Sequence, residues 1–79
     1  MNVLYFGVAR DCAGSSSEEI ELEEGLTVAE LWKVLIARHP GLVACREISR
    51  IAVDMCYVEE GERISGSSEV AIIPPVAGG

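Results

Sequence analysis

Thr27-Val28-Ala29-Glu30-Leu31-Trp32-Lys33-Val34-Leu35-Ile36-Ala37-Arg38-His39-Pro40-Gly41 is the stretch on which the fold turns. Thr27 followed three positions later by Glu30 makes a capping box: the hydroxyl accepts from the third helical amide and the carboxylate reaches back. Val28, Leu31, Trp32, Leu35 and His39 then recur at helical spacing until Pro40-Gly41 stops the helix. The apolar face predicts a helix lying on a sheet, with Trp32 as a core anchor. His39, in the last turn, most simply complements the negative end of the helix dipole.

Working outward, the flanks read as strands. Residues 2–9 are rich in β-branched and aromatic side chains and predict a first strand. Positions 10–17 predict a connecting loop with at most one helical turn. Glu19-Ile20-Glu21-Leu22-Glu23 alternates strictly, the pattern of a half-buried second strand. The acids crowded into 18–24 splay on alternate sides, which favours a solvated strand face and turn over a metal site. Residues 42–49 predict a loop or short helical turn, 50–54 a strand, 55–60 a bend with an edge segment, and 69–73 a last strand. That last strand is apolar on both faces, as central strands are. The order β-β-α-β-(short β)-β with one good helix is an α+β arrangement, the β-grasp of ubiquitin: a mixed sheet with the helix packed on one face. Leu4, Phe6, Val28, Leu31, Trp32, Leu35 and Val53 are the expected core.

The chain has 79 residues, one domain near the small end of what folds alone. Thirteen acidic residues against six basic give a net charge of −7, which argues against nucleic acid. No run of about 20 apolar residues is present to cross a membrane, and the start lacks the basic region of a signal peptide. Cys12, Cys45 and Cys56 are too few for a four-ligand zinc or iron–sulfur site, and none sit at CxxC spacing; reduced thiols in a cytosolic protein are expected. Lys33 is the sole lysine.

The last strand leads into Pro74-Pro75-Val76-Ala77-Gly78-Gly79. Two prolines, lacking N–H groups and with φ fixed, end the strand's ladder and launch an extended tail. At about 3.3 Å per residue, 74–79 would reach roughly 20 Å from the globule. A terminal Gly-Gly can be threaded where nothing bulkier fits, so the carboxylate of Gly79 is the expected reactive group, with Gly78 beside it. Apolar side chains near that tail, Phe6, Ile73 and Val76, are the candidate partner contacts, because a stable interface wants a desolvated centre.

These features resemble a known family over nearly the whole chain: the small, sulfur-carrying subunit of molybdopterin synthase, among the ubiquitin-like sulfur carriers. The resemblance rests on Val3 to Asp11, on Leu31-Trp32-Lys33 with Arg38 to Leu42, on Ala52-Val53 before Tyr57-Val58, and above all on the Pro-Pro-x-x-Gly-Gly ending behind 69–73. The helix is closer to the eukaryotic members. Asp54 stands where many relatives carry Asn, and Ala77 where they carry Ser or Thr. The resemblance implies that a ubiquitin-activating-type enzyme adenylates Gly79 with ATP, through a transient C-terminal AMP. A sulfur donor then makes the thiocarboxylate. The tail, from Ile73 and Pro74 through Pro75, Val76, Ala77 and Gly78 to Gly79, enters a pocket of the large synthase subunit and passes sulfur to a cyclic pyranopterin precursor. It further implies a cytosolic heterotetramer of two large and two small subunits. This chain would be its non-catalytic carrier, with no permanently bound cofactor or metal and with the active site on the large subunit.

Three alternatives share parts of this pattern. A ubiquitin-like protein modifier would instead form amides with lysines. A sulfur carrier for the thiazole of thiamin would share fold and chemistry, but fits the Arg10-Asp11 start and the Pro-Pro pair poorly. A binding module would carry its terminal glycines incidentally.

Overall fold

The computed structural model describes residues 1–65 and 68–75. The predicted main helix, α2, spans Val28–Arg38. Its capping box is formed: the Glu30 amide donates to Thr27 Oγ1 at 3.2 Å, and the Thr27 amide donates to Glu30 Oε1 at 3.0 Å. The His39 amide closes the last turn on the Leu35 carbonyl, and Pro40 begins a 3₁₀ segment, Pro40–Ala44.

Five strands build the main sheet: β1 (Asn2–Tyr5), β2 (Ser17–Glu19), β4 (Arg50–Val53), β5 (Cys56–Val58) and β7 (Glu69–Ile73). Their order is β2-β1-β7-β4-β5, so β7 is central, as its two apolar faces predict. β1 and β7 run parallel and the other pairs antiparallel. A second sheet joins β3 (Leu26–Thr27) to β6 (Arg63–Ile64).

The first predicted strand is too long. β1 ends at Tyr5; Gly7, at φ +54°, turns the chain into a short helix α1 (Val8–Ala13), which Gly14 ends in the left-handed region. The second strand lies earlier than its alternation suggests, at Ser17–Glu19, because β1 offers partners only for Ser17, Glu18 and Glu19. Past Glu19, Ile20 is still anchored by its amide to the Met1 carbonyl.

The core corrects the expected list. Val28, Leu31, Trp32 and Leu35 are buried as predicted, in one cluster with Val3, Tyr5, Ile51, Val70 and Ile72. Leu4 is only half-buried and Phe6 is 48% exposed; Val53 packs partly buried against the cluster. Side chains alternate along a strand, and the helix side of β1 belongs to Val3 and Tyr5, which puts Leu4 on the opposite face. The β4–β5 hairpin turns on Asp54 and Met55, both at positive φ (48° and 71°), the type I′ signature. Asp54 Oδ1 also accepts from the Glu69 amide at 3.0 Å, tying the turn to β7.

Candidate functional site

The sheet face away from α2 carries the candidate site. Strand register aligns Leu4 with Ala71, Ala71 with Ala52 and Ala52 with Tyr57, one row across β1, β7, β4 and β5. A second row pairs Ile73 with Arg50. The two alanines leave the middle of the face low while Leu4, Phe6, Met55 and Tyr57 rise around it, giving a trough of about 310 Å³ that Ile73 also lines. Phe6, Met55 and Tyr57 are 48%, 93% and 54% exposed, an apolar surface of the kind that marks protein contacts. A neighbouring hollow of about 230 Å³ is lined by Ile48, Arg50, Tyr57, Ile73, Pro74 and Pro75, so the surface continues to the root of the tail. The Arg50 guanidinium sits 4.0 Å over the Tyr57 ring, a cation–π contact at its edge.

The root of the tail is held by a close approach. A Cβ on Gly7 would lie 2.9 Å from Pro74 Cγ, and the residue's φ is positive, so glycine is required there on two counts. On the β1 side of β7 the Phe6 amide donates to the Ile72 carbonyl at 3.2 Å, and on the β4 side the pairing runs to Arg50 opposite Ile73. Pro74 and Pro75 then offer no N–H, and the ladder stops.

Of the residues the sequence singles out, Phe6, Ile73, Pro74 and Pro75 come together on this surface. Val76, Ala77, Gly78 and Gly79 lie outside the described residues. The reading missed Leu4, Ala52, Ala71, Met55, Tyr57, Arg50, Ile48 and Gly7. Two alanines at matching positions in neighbouring strands were the available signal for the trough.

On the other side of β1 lies a polar knot. Tyr5 Oη donates to Glu18 Oε1 at 2.6 Å, His39 Nε2 stands 2.6 Å from the same oxygen, and Arg38 donates to Oε2 at 3.1 Å. Burial pushes the Glu18 carboxyl up, but hydrogen bonds from Tyr5, His39 and Arg38 and the charge of His39 outweigh it and hold it below the usual carboxylate range. Burial first, then the bond to Glu18 and its charge, push the Tyr5 phenol well above its ordinary value. His39 thus does more than face the helix dipole: it joins the end of α2 to β2. A hollow of about 280 Å³ beside Trp32 holds Arg46 5.8 Å over the indole and paired with Glu60 at 3.0 Å. Among the described residues no group of His, Cys, Asp or Glu is placed to hold a metal ion, and no helix is long and apolar enough to cross a membrane.

A mixed sheet in the order β2-β1-β7-β4-β5 with one main helix on its inner face is the β-grasp, the ubiquitin-like class. Within that class the chain belongs to the ThiS family, which matches residues 3–79. It is 37% identical to the human molybdopterin synthase sulfur carrier subunit, over the whole of this chain and 93% of that one. Among solved structures it is similar to a putative molybdopterin converting factor subunit 1 from Pyrococcus furiosus, with a TM-score of 0.83 and 32% identity over 95% of both chains. A small archaeal modifier protein, SAMP1 of Haloferax volcanii, has the same fold at a TM-score of 0.81 and 22% identity, covering 99% of this chain and 97% of that one.

Proposed function

We propose that this chain is the sulfur carrier of a molybdopterin synthase, with the Gly79 carboxyl carbon as its reactive centre. The observation that carries the reading is the 37% identity to the human carrier subunit over the whole of this chain and 93% of that one. Family and fold alone are shared with thiazole carriers and archaeal modifiers; the named relatives favour the pterin pathway. The open face adds a physical reason, since an apolar trough running to Pro74-Pro75 suits a partner that grips the globule and takes in the tail.

The chemistry follows from the tail. A carboxylate is a poor electrophile; adenylation by an ATP-dependent partner gives Gly79 an AMP leaving group and releases pyrophosphate. A sulfur donor displaces AMP and leaves a thiocarboxylate, whose sulfur is softer and more nucleophilic than oxygen. The large synthase subunit receives the tail, the sulfur bonds to the pterin precursor, and water releases the carrier as carboxylate. Two carriers per dithiolene fit a heterotetramer acting in the cytosol. In this scheme the carrier supplies position and a reactive end, while ATP and AMP are handled on the activating enzyme.

Intact-mass measurement tests the reading. Incubation with the activating enzyme, ATP and a sulfur donor should add about 16 Da at Gly79, the exchange of oxygen for sulfur. A chain that stays unmodified, or that accumulates as amide adducts on lysines of other proteins, would contradict it.

A further inference from the structure

α1 lies against the 3₁₀ segment; Cys12 is within α1, and Cys45 caps the end of the 3₁₀ segment. Cys12 Sγ and Cys45 Sγ are 2.9 Å apart, within about 0.9 Å of the covalent S–S length. The backbones there are already close: a Cβ on Gly41 would lie 2.8 Å from the Cys12 carbonyl oxygen. Cys45 is buried and Cys12 half-buried, so the pair has a shielded member and an accessible one. Neither sulfur has a part in the tail chemistry.

We propose that Cys12 and Cys45 form a reversible disulfide site, closed by exchange with a low-molecular-weight disulfide and opened by thiols. The Cys12 thiolate attacks the oxidant: a Cys12–S bond forms, the oxidant's S–S bond breaks, and one thiolate leaves. The Cys45 sulfur, once deprotonated, then attacks Cys12 Sγ and expels the second thiolate. The two protein thiols lose two electrons to the oxidant, which becomes two thiols; their protons pass to the released thiolates through solvent. In the dithiol, burial first, then the hydrogen bond and charge of Cys12, push the Cys45 thiol up to about 11; once Cys12 is bonded to the oxidant's sulfur only the burial remains to oppose deprotonation of Cys45.

The bond would close a loop between positions 33 apart and fix α1 to the segment that follows α2. On the chain-entropy account, such a loop raises the folding equilibrium by roughly two to three orders of magnitude. α1 begins directly after Gly7, which seats Pro74, so the staple also bears on the root of the tail. In a reducing cytosol the pair stays open, and oxidative stress closes it. This inference stands apart from the proposed function.

The test uses the Cys56→Ser chain, which removes the exposed third thiol, treated with oxidised glutathione under native conditions. The expected product is lighter by about 2 Da, has no alkylatable thiol, and unfolds at higher urea until dithiothreitol reverses the change. With Cys45→Ala added, reaction should stop at a glutathione adduct of about +305 Da on Cys12. A persistent adduct in the chain holding both cysteines, or two thiols still alkylated, would overturn the proposal. The mass of that parent chain decides the question even if Cys45→Ala is poorly folded.

Discussion

Gly7→Ala should destabilise the domain by about 2–6 kcal/mol, through two separable costs. The backbone at φ +54°, ψ −130° lies where L side chains are strained by about 1–3 kcal/mol. The added methyl would also stand 2.9 Å from Pro74 Cγ, and overpacking of that order costs about 1–3 kcal/mol before relaxation. Urea unfolding followed by circular dichroism measures the total, and a double-mutant cycle with Pro74→Ala separates the parts. Removing the proline ring should recover about 1 kcal/mol of the clash and leave the backbone cost intact, since only the first belongs to the pair. If Gly7→Ala lies within about 0.5 kcal/mol of wild type, the range of an ordinary surface change, Gly7 does not seat the tail as argued.

Trp32→Ala removes a buried indole and should cost about 3–5 kcal/mol, enough to unfold or nearly unfold so small a domain in a thermal melt; a folded, active variant would show the helix face misread. Ala71→Arg, which fills the middle of the trough, should weaken binding to the large synthase subunit at least tenfold by calorimetry, with the fold retained by circular dichroism. The polar knot predicts a pH dependence with two edges. The Glu18 pKa is depressed on folding, so its stabilisation is present at neutral pH and is lost as pH falls through the carboxylate range; Glu18→Gln should flatten that acid limb. The Tyr5 pKa is raised on folding, so stability should fall as pH climbs past about 10, and Tyr5→Phe should remove that loss while forfeiting the bond to Glu18.

The main helix was legible because its signals are local: Thr27 and Glu30 cap it, Pro40 ends it, and four apolar residues share one face. The central place of β7 followed from apolar side chains on both of its faces. The facing of β1 was not legible. Val3, Leu4, Tyr5 and Phe6 are all apolar or aromatic, so only the register with β7 shows that Val3 and Tyr5 face the core. α1 is six residues long and β3 and β6 two each, lengths at which tertiary contacts and not periodicity decide the conformation. The root of the site was half visible: the Pro-Pro pair stands out in sequence, while Gly7, 67 positions before Pro74 (74 − 7), meets it only in the fold. The Cys12–Cys45 pair escaped the sequence for the same reason, since no short spacing joins them.

The central claim is that sulfur rides on the carboxyl carbon of Gly79, and deletion of that residue tests it most directly. The deletion should leave the domain folded, because a chain end contributes little to a core. Dithiolene formation would be measured with the large subunit, the pterin precursor and the carrier treated with activating enzyme, ATP and a sulfur donor. The account predicts normal product with the full chain and a loss of at least about 100-fold with the deletion, the scale of misplacing a reacting atom by an ångström or more. A folded deletion variant that still supports dithiolene formation would contradict it.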